Sequence, residues 1–177
     1  PQQLLVVVDA IEVVVQDTYI TVPSQGTVEP RTRTNLVSEV SGQVVEVSPA
    51  FVTGGFFRKG ETLIRLDDQN YRAAVSRADA GVASARSLLE QERGQADVSQ
   101  REWDRMTEAE QGRIRAKDLY LRKPQLEEAI ARLASADADL TQAQTDLGKT
   151  TIIAPYDGLV SSKNTDIGQY VTTGSSI

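Results

Sequence analysis

The pair Asp67–Asp68, in the stretch "RLDDQN", is the first place in this chain where residue types suggest chemistry. Neighbouring carboxylates can act as general acid and base, or supply half of a metal site. Their position favours another role. They stand where an alternating, strand-like pattern gives way to a helical one, and a carboxylate there can accept the unpaired N–H groups of a first helical turn. Trp103 and Met106 could form a ligand stripe, yet both continue a helical seam, so packing accounts for them. The remaining inventory is narrow, because the 177 residues include no cysteine and no histidine. That removes thiolate nucleophiles, disulfides, zinc sites with N/S ligands and imidazole bases. Carboxylate, hydroxyl, lysine and tyrosine chemistry remains. No catalytic, cofactor or metal constellation emerges from the residues.

The bulk properties narrow the partners. The chain is 40% apolar, which permits a folded core, but only 5% aromatic, and its net charge is −6. No stretch is strongly basic, which argues against a nucleic-acid partner, since phosphate backbones select clustered Lys and Arg. Absence of cysteine fits the cytosol or the periplasm equally. The chain begins at Pro1 and stops in "TTGSSI", which reads as the middle of a hairpin, so it is taken as part of a longer polypeptide. No apolar run is long enough to cross a bilayer. The nearest, "LLVVVDAIEVVV" (4–15), is interrupted by Asp9 and Glu12. Its valine richness and partial alternation predict one or two strands.

Two distant stretches resemble each other. The first carries Gly42, Val44, Gly54, Phe57, Gly60 and Leu63; the second carries Gly158, Val160, Gly168, Val171, Gly174 and Ile177. From Gly54 and Gly168 onward the spacings agree. Between its first two glycines the first copy has two extra residues. Each copy reads as short valine-rich strands punctuated by glycine turns. One such unit is too small to bury its apolar face, whereas two related by a pseudo-twofold can sandwich theirs together. Chance similarity of Gly/Val-rich strands is the competing reading. Phe56, Phe57 and Tyr170 fall at aligned positions and are expected in the β core or at a contact between copies.

Between the copies the period changes to three and four. One seam runs Tyr71, Val75, Ala78, Val82, Ala85, Leu89, Glu92, Ala96, Ser99, Trp103, Met106; a second runs Leu119, Arg122, Leu126, Ala129, Leu133, Ala136, Leu140, Ala143, Leu147. These are coiled-coil seams in which alanines alternate with larger residues. A short connection makes each run the antiparallel partner of the other. Asp67 or Asp68 is expected to cap the first helix, Gly148 with Lys149 to stop the second, and Gly112 and Asp118 to mark the reversal within "EQGRIRAKD" (110–118). Gly94 should weaken the first helix. Pro124 should kink the second or mark its true start. At about 1.5 Å per residue, roughly 40 residues make a rod of about 60 Å.

A glycine-punctuated β domain in two halves resembles the biotinyl/lipoyl fold, with the turn that would display a modified lysine replaced by the hairpin. The stretches "VSEVSGQVVEVSPAFVTGGFFRKGETLIRLD" (37–67) and "LGKTTIIAPYDGLVSSKNTDIGQYVTTG" (147–174), with the seams between them, resemble the periplasmic adaptor subunits, or membrane fusion proteins, of Gram-negative efflux pumps. Within "SPAFVTGGFFRKGE" and "DLYLRKPQLEEA" the likeness is to adaptors of resistance-nodulation-division (RND) transporters. The expected fold is therefore α+β. A split lipoyl-like β-sandwich (34–68 and 149–177) carries an antiparallel coiled-coil hairpin (69–148). An N-terminal β segment (1–33) comes from a barrel or membrane-proximal region.

The resemblance implies a connector with no cofactor. It would sit in the periplasm, anchored to the inner membrane by a segment outside this chain. Its implied partners are an inner-membrane RND transporter, a TolC-like outer-membrane channel and further copies of itself in a trimer or hexamer. Docking is implied at the hairpin tip. Many RND adaptors carry Arg, Leu and Ser there at set spacing; with Ile114 matched to the residue before that serine, Asp104, Glu108 and Arg115 fall at those positions, so the motif is absent in that register. The candidates for docking are Arg113, Ile114, Arg115 and Lys117, with a solvated turn as the alternative. The turns at Gly54–Gly55 and Gly168–Gln169 are candidates for a loop facing a ring passage. The same architecture could serve an ABC exporter or type I secretion system. A lipoyl or biotin carrier domain, and a free coiled-coil scaffold, are the alternatives from other classes.

Overall fold

The computed structural model describes residues 7–177, and the chain divides after Thr34. In the first part, residues 7–34 form no helix or strand. The strands expected in 1–33 are thus not formed within 7–33, and residues 4–6 of the valine-rich run lie outside the described residues. A strand needs an edge on which to pair its N–H and C=O groups, and no described strand pairs with this run. Val7, Ile11, Val13 and Val15 are fully exposed.

From residue 35 the order is β1 (Gly42–Val47), β2 (Phe56–Phe57), β3 (Thr62–Leu66), α1 (Gln69–Arg105), α2 (Glu108–Gln111), α3 (Lys117–Tyr120), α4 (Lys123–Lys149), β4 (Thr151–Ile153), β5 (Gly158–Leu159) and β6 (Tyr170–Val171). The strands form one antiparallel sheet, β4-β3-β1-β6, and a second pair, β2-β5. Every strand pair except β1-β3 joins the segment before the helices to the segment after them. Val44, Leu63, Ile64, Leu66, Ile152, Ala154, Val160, Val171 and Ile177 fill one core, with Phe57 and Tyr71 packed against it. Burying a Leu or Ile side chain contributes about 1.5–3 kcal/mol, so neither half has enough of these residues to fold without the other.

The repeat is a pseudo-twofold in the hydrogen bonds. Phe57 faces Gly158 in β2-β5 as Val171 faces Gly42 in β1-β6. Gly54 N–H donates to Val160 O as Gly168 N–H donates to Val44 O; Gly60 donates to Ala154 O as Gly174 donates to Ser38 O. All four of these glycines have φ between 83° and 86°, a left-handed conformation that costs residues with a Cβ about 1–2 kcal/mol. Chance similarity of the two copies is thereby excluded.

The inserted segment is an antiparallel hairpin of unequal arms. Helix α1 has 37 residues and α4 has 27, or about 55 Å and about 40 Å at a rise of about 1.5 Å. Every residue of the first seam is buried or half-buried, and so is the second from Arg122 onward. The exception is Leu119, which is exposed while Leu121 is buried in its stead, because α3 ends at Tyr120 and the helical period is broken before α4. Pro124 lies in the first turn of α4 and marks its start, since its missing N–H is not needed there. Gly94 does not interrupt α1.

At the junctions, Asp67 Oδ1 accepts Gln69 N–H at 3.1 Å, while Asp68 holds the N-cap position without a capping bond and pairs with Arg72 at 2.8 Å. That Arg72 hydrogen bond holds the Asp68 carboxyl below its ordinary value of 3.8. Gly148 does not stop α4. The helix runs through it to Lys149 and ends at buried Thr150, whose Oγ1 donates to Leu147 O and whose carbonyl accepts Leu66 N–H. The sheet, taking Thr150 into its ladder, sets that end. Tyr71 Oη donates to Ser41 O at 2.7 Å and Lys149 pairs with Glu39 at 3.1 Å, so both arms are fastened to the β domain.

Candidate functional site

The hairpin reverses through a folded tip rather than a loop. Helix α1 ends at Arg105, well before the expected break at Gly112, because Met106 turns extended and Thr107 starts a new helix. Thr107 and Glu110 form a capping box: Glu110 Oε2 accepts Thr107 N–H at 2.8 Å and its hydroxyl at 2.8 Å. The Thr107 backbone bond, with the hydroxyl bond behind it, holds the Glu110 carboxyl below its ordinary value. Asp118 does not cap; it lies inside α3 and pairs with Lys123 at 2.6 Å.

Trp103 organises this tip. It is only 8% exposed. Tyr120 packs on it with ring centroids 5.6 Å apart, and Lys117 Nζ sits 5.1 Å from the indole centroid. Gln111 Nε2 donates to Trp103 O at 2.9 Å, tying α2 to the end of α1. Tyr120 Oη reaches Glu102 at 3.4 Å; desolvation, with that carboxylate's charge behind it, pushes the phenol up.

Of the four residues expected at the docking surface, Arg113 and Arg115 are exposed, Ile114 is half-buried, and Lys117 is engaged over Trp103. The tip therefore presents two guanidinium groups, with Leu119 as an exposed apolar neighbour in sequence. Trp103 and Tyr120 were not expected as tip organisers. The "T-E-A-E" signature at 107–110 was legible as a capping box; the Trp103–Tyr120 contact was not, because the two meet only when the chain reverses.

The glycine turns sit at equivalent places in the two halves. A Cβ at Gly55 would lie 2.2 Å from Ala50 O, so that turn admits only glycine. At the other turn Gln169 Oε1 accepts Asp166 N–H at 3.2 Å, and Gln43 Nε2 donates to Gly168 O at 3.0 Å. Lys163, paired with Asp166 at 2.9 Å, holds that carboxyl low. Phe57 packs against the core, but Phe56 and Tyr170 are 78% and 66% exposed, so these two do not fill it. They alternate outward on β2 and β6, as neighbours of inward residues must.

A β domain whose strands come from both ends of the chain, with a hairpin standing between them, invites comparison. The family described as "RND MFP, barrel-sandwich hybrid domain" matches residues 32–177. The chain belongs to this family of membrane fusion proteins. It is a family of efflux-pump periplasmic adaptors. Among curated proteins, the uncharacterized protein YdhJ of Escherichia coli is 29% identical over 140 residues, covering 79% of this chain and 46% of YdhJ. Among solved structures, MacA from Actinobacillus actinomycetemcomitans has a TM-score of 0.69 at 21% identity, covering 80% of this chain and 46% of MacA. A MacA–MexA chimera carrying the Pseudomonas aeruginosa MexA α-hairpin domain has a TM-score of 0.59 at 25% identity, over 81% of this chain and 45% of the chimera. The chain thus spans about half the length of the relatives it matches. Among the described residues no helix is long and apolar enough to cross a membrane.

Proposed function

We propose that this chain is the hairpin and lipoyl-like portion of a non-enzymatic adaptor that links an inner-membrane RND transporter to a TolC-like outer-membrane channel for export of small molecules. The observation that carries this reading is the geometry of the insertion. The closed two-part β domain holds both arms of a stiff hairpin and leaves its folded tip about 55 Å away. A rod held at its base transmits position, and fixing the separation of two membrane proteins requires nothing more. The tip, with Arg113 and Arg115 exposed, docks the channel. The β domains pack side by side in a ring of three or six copies, with the turns at Gly54–Gly55 and Gly168–Gln169 toward the passage. The protein works in the periplasm, held to the inner membrane by a part of the polypeptide outside this chain.

Single cysteines at Arg113 or Arg115, in a chain with none of its own, test the docking in cells. The expected result is a crosslink to an outer-membrane channel. Capture of soluble proteins alone would overturn it. Co-purification with an ATP-hydrolysing exporter in place of an RND transporter would assign the same architecture to an ABC system.

A further inference from the structure

Partway up the hairpin both arms are weak at the same level. In α1 the level is marked by Gly94, whose lack of a side chain lowers helix stability; a Cβ there would meet no atom within 4 Å. In the return arm it is Arg122, with φ 57° and ψ 24°, the one described non-glycine residue of positive φ. Arg122 separates α3 from α4 and has no side-chain capping bond. Both residues line one open groove of about 440 Å³, with Glu90, Gln91, Gln95 and Val98. Two ion pairs lie across the level: that of Asp118 with Lys123, at 2.6 Å, is solvent-exposed on both sides and so contributes little, and the other is the more buried. Glu92 Oε2 accepts Arg122 Nη2 at 2.7 Å and Nε at 3.2 Å, with the Glu92 side chain 15% exposed.

We propose that residues 95–121 turn as one body about Gly94 and Arg122, and that the Glu92–Arg122 pair is the latch: it fixes the left-handed pivot and so keeps that body in line with the shaft. Above the level, the Trp103–Tyr120 packing, the Gln111 bond and the Thr107–Glu110 box tie the segment together. Below it, the alanine-rich seam and the Tyr71–Ser41 bond hold the shaft to the β domain. A helical rod bends where its backbone ladder is weakest, and here both weak points face the same groove, which supplies the space. A left-handed arginine persists only where its surroundings hold it, and the Glu92 carboxylate is the charged partner that does so. The inference rests on the adaptor reading only for its use, which is alignment of the tip before docking.

The test is double electron–electron resonance on the purified chain. Spin labels at Asp79 and Arg113 span the level, and labels at Asp79 and Asp139 stay within the shaft. The expected result is a narrow distribution for both pairs in the otherwise unchanged protein. Glu92→Gln, and separately Arg122→Gly, which keeps the left-handed turn, should at least double the width for the spanning pair and leave the shaft pair unchanged. Adding Gly94→Ala to Glu92→Gln should narrow it again. A spanning distribution that is already broad, or one unchanged in both variants, overturns the latch. Equal broadening of the shaft pair, or no effect of Gly94→Ala, overturns the hinge.

Discussion

Gly54 and Gly168 hold φ of 83° and 85°, and each donates its amide to a valine carbonyl of the other half, Val160 and Val44, at 2.8 and 2.9 Å. The two turns close the β domain on itself from both ends of the chain, and the base of the hairpin depends on that closure.

At Gly54 and Gly168 a Cβ would meet no atom within 4 Å, so the cost of alanine is conformational alone, about 1–2 kcal/mol at each. At Gly55 the same methyl group meets Ala50 O at 2.2 Å and the backbone must move. Denaturant unfolding should therefore rank Gly55→Ala as clearly more destabilising than either of the other two. Equal costs at the three positions would contradict the assigned turns.

Ala129 is 2% exposed on the α1–α4 seam, near the start of α4. Ala129→Leu inserts three carbons where the arms approach closely, and overpacking of this kind costs about 1–3 kcal/mol. Ile130 is the neighbouring control, since its side chain is half in solvent. Ile130→Leu should change the unfolding midpoint little.

Trp103 is the single tryptophan, so its fluorescence reports on the tip. Lys117→Ala removes the ammonium above the indole, a contact worth about 0.5–1 kcal/mol at an exposed site. The expected outcome is altered emission and faster amide exchange in α2 and α3, with the melting temperature of the β domain unchanged. Tyr120→Ala should have a larger effect in the same direction.

The capping box makes the tip acid-sensitive. The charged Glu110 carboxylate accepts two bonds from Thr107, and its folded pKa lies below the ordinary 4.5. A depressed carboxyl contributes stability that is fully present above its unfolded value and lost as pH falls through its folded value. Nuclear magnetic resonance titration should find Glu110 protonating below the ordinary glutamate value of 4.5. Exchange protection at Thr107 and Gln111 should fall in the same range, and Thr107→Val, which keeps the backbone donor and removes the hydroxyl, should reduce the shift without abolishing it.

The seams were legible because a helix repeats every 3.6 residues and one buried face repeats with it. Even their exceptions were informative. Glu92 and Arg122, the charged members of two apolar rows, meet each other at 2.7 Å, which partner-blind periodicity could not reveal. The end of α1 was misplaced because Gly112 looked like its natural break, whereas Gly112 ends the short α2 within the tip. A capping box at Thr107 instead starts a new helix, and a buried tryptophan makes that arrangement worth keeping. The end of α4 was misplaced for a related reason: Gly148 is a good stop in isolation, but Thr150 is held by Leu66 in the sheet.

Read alone, the order of residues settled what is local and periodic. The two matched glycine frames, the facing seams of the paired helices, and the lack of thiol and imidazole chemistry all follow from residue types and intervals. Folding in space decided what depends on residues far apart in the chain. It chose which half supplies the partner for each strand, put Lys117 over Trp103, turned Phe56 and Tyr170 outward, and left the valine run of residues 7–15 without a strand. The division has one physical cause. Backbone preference acts over a few neighbours, whereas burial, ion pairing and edge pairing are assigned only once distant segments compete for the same core.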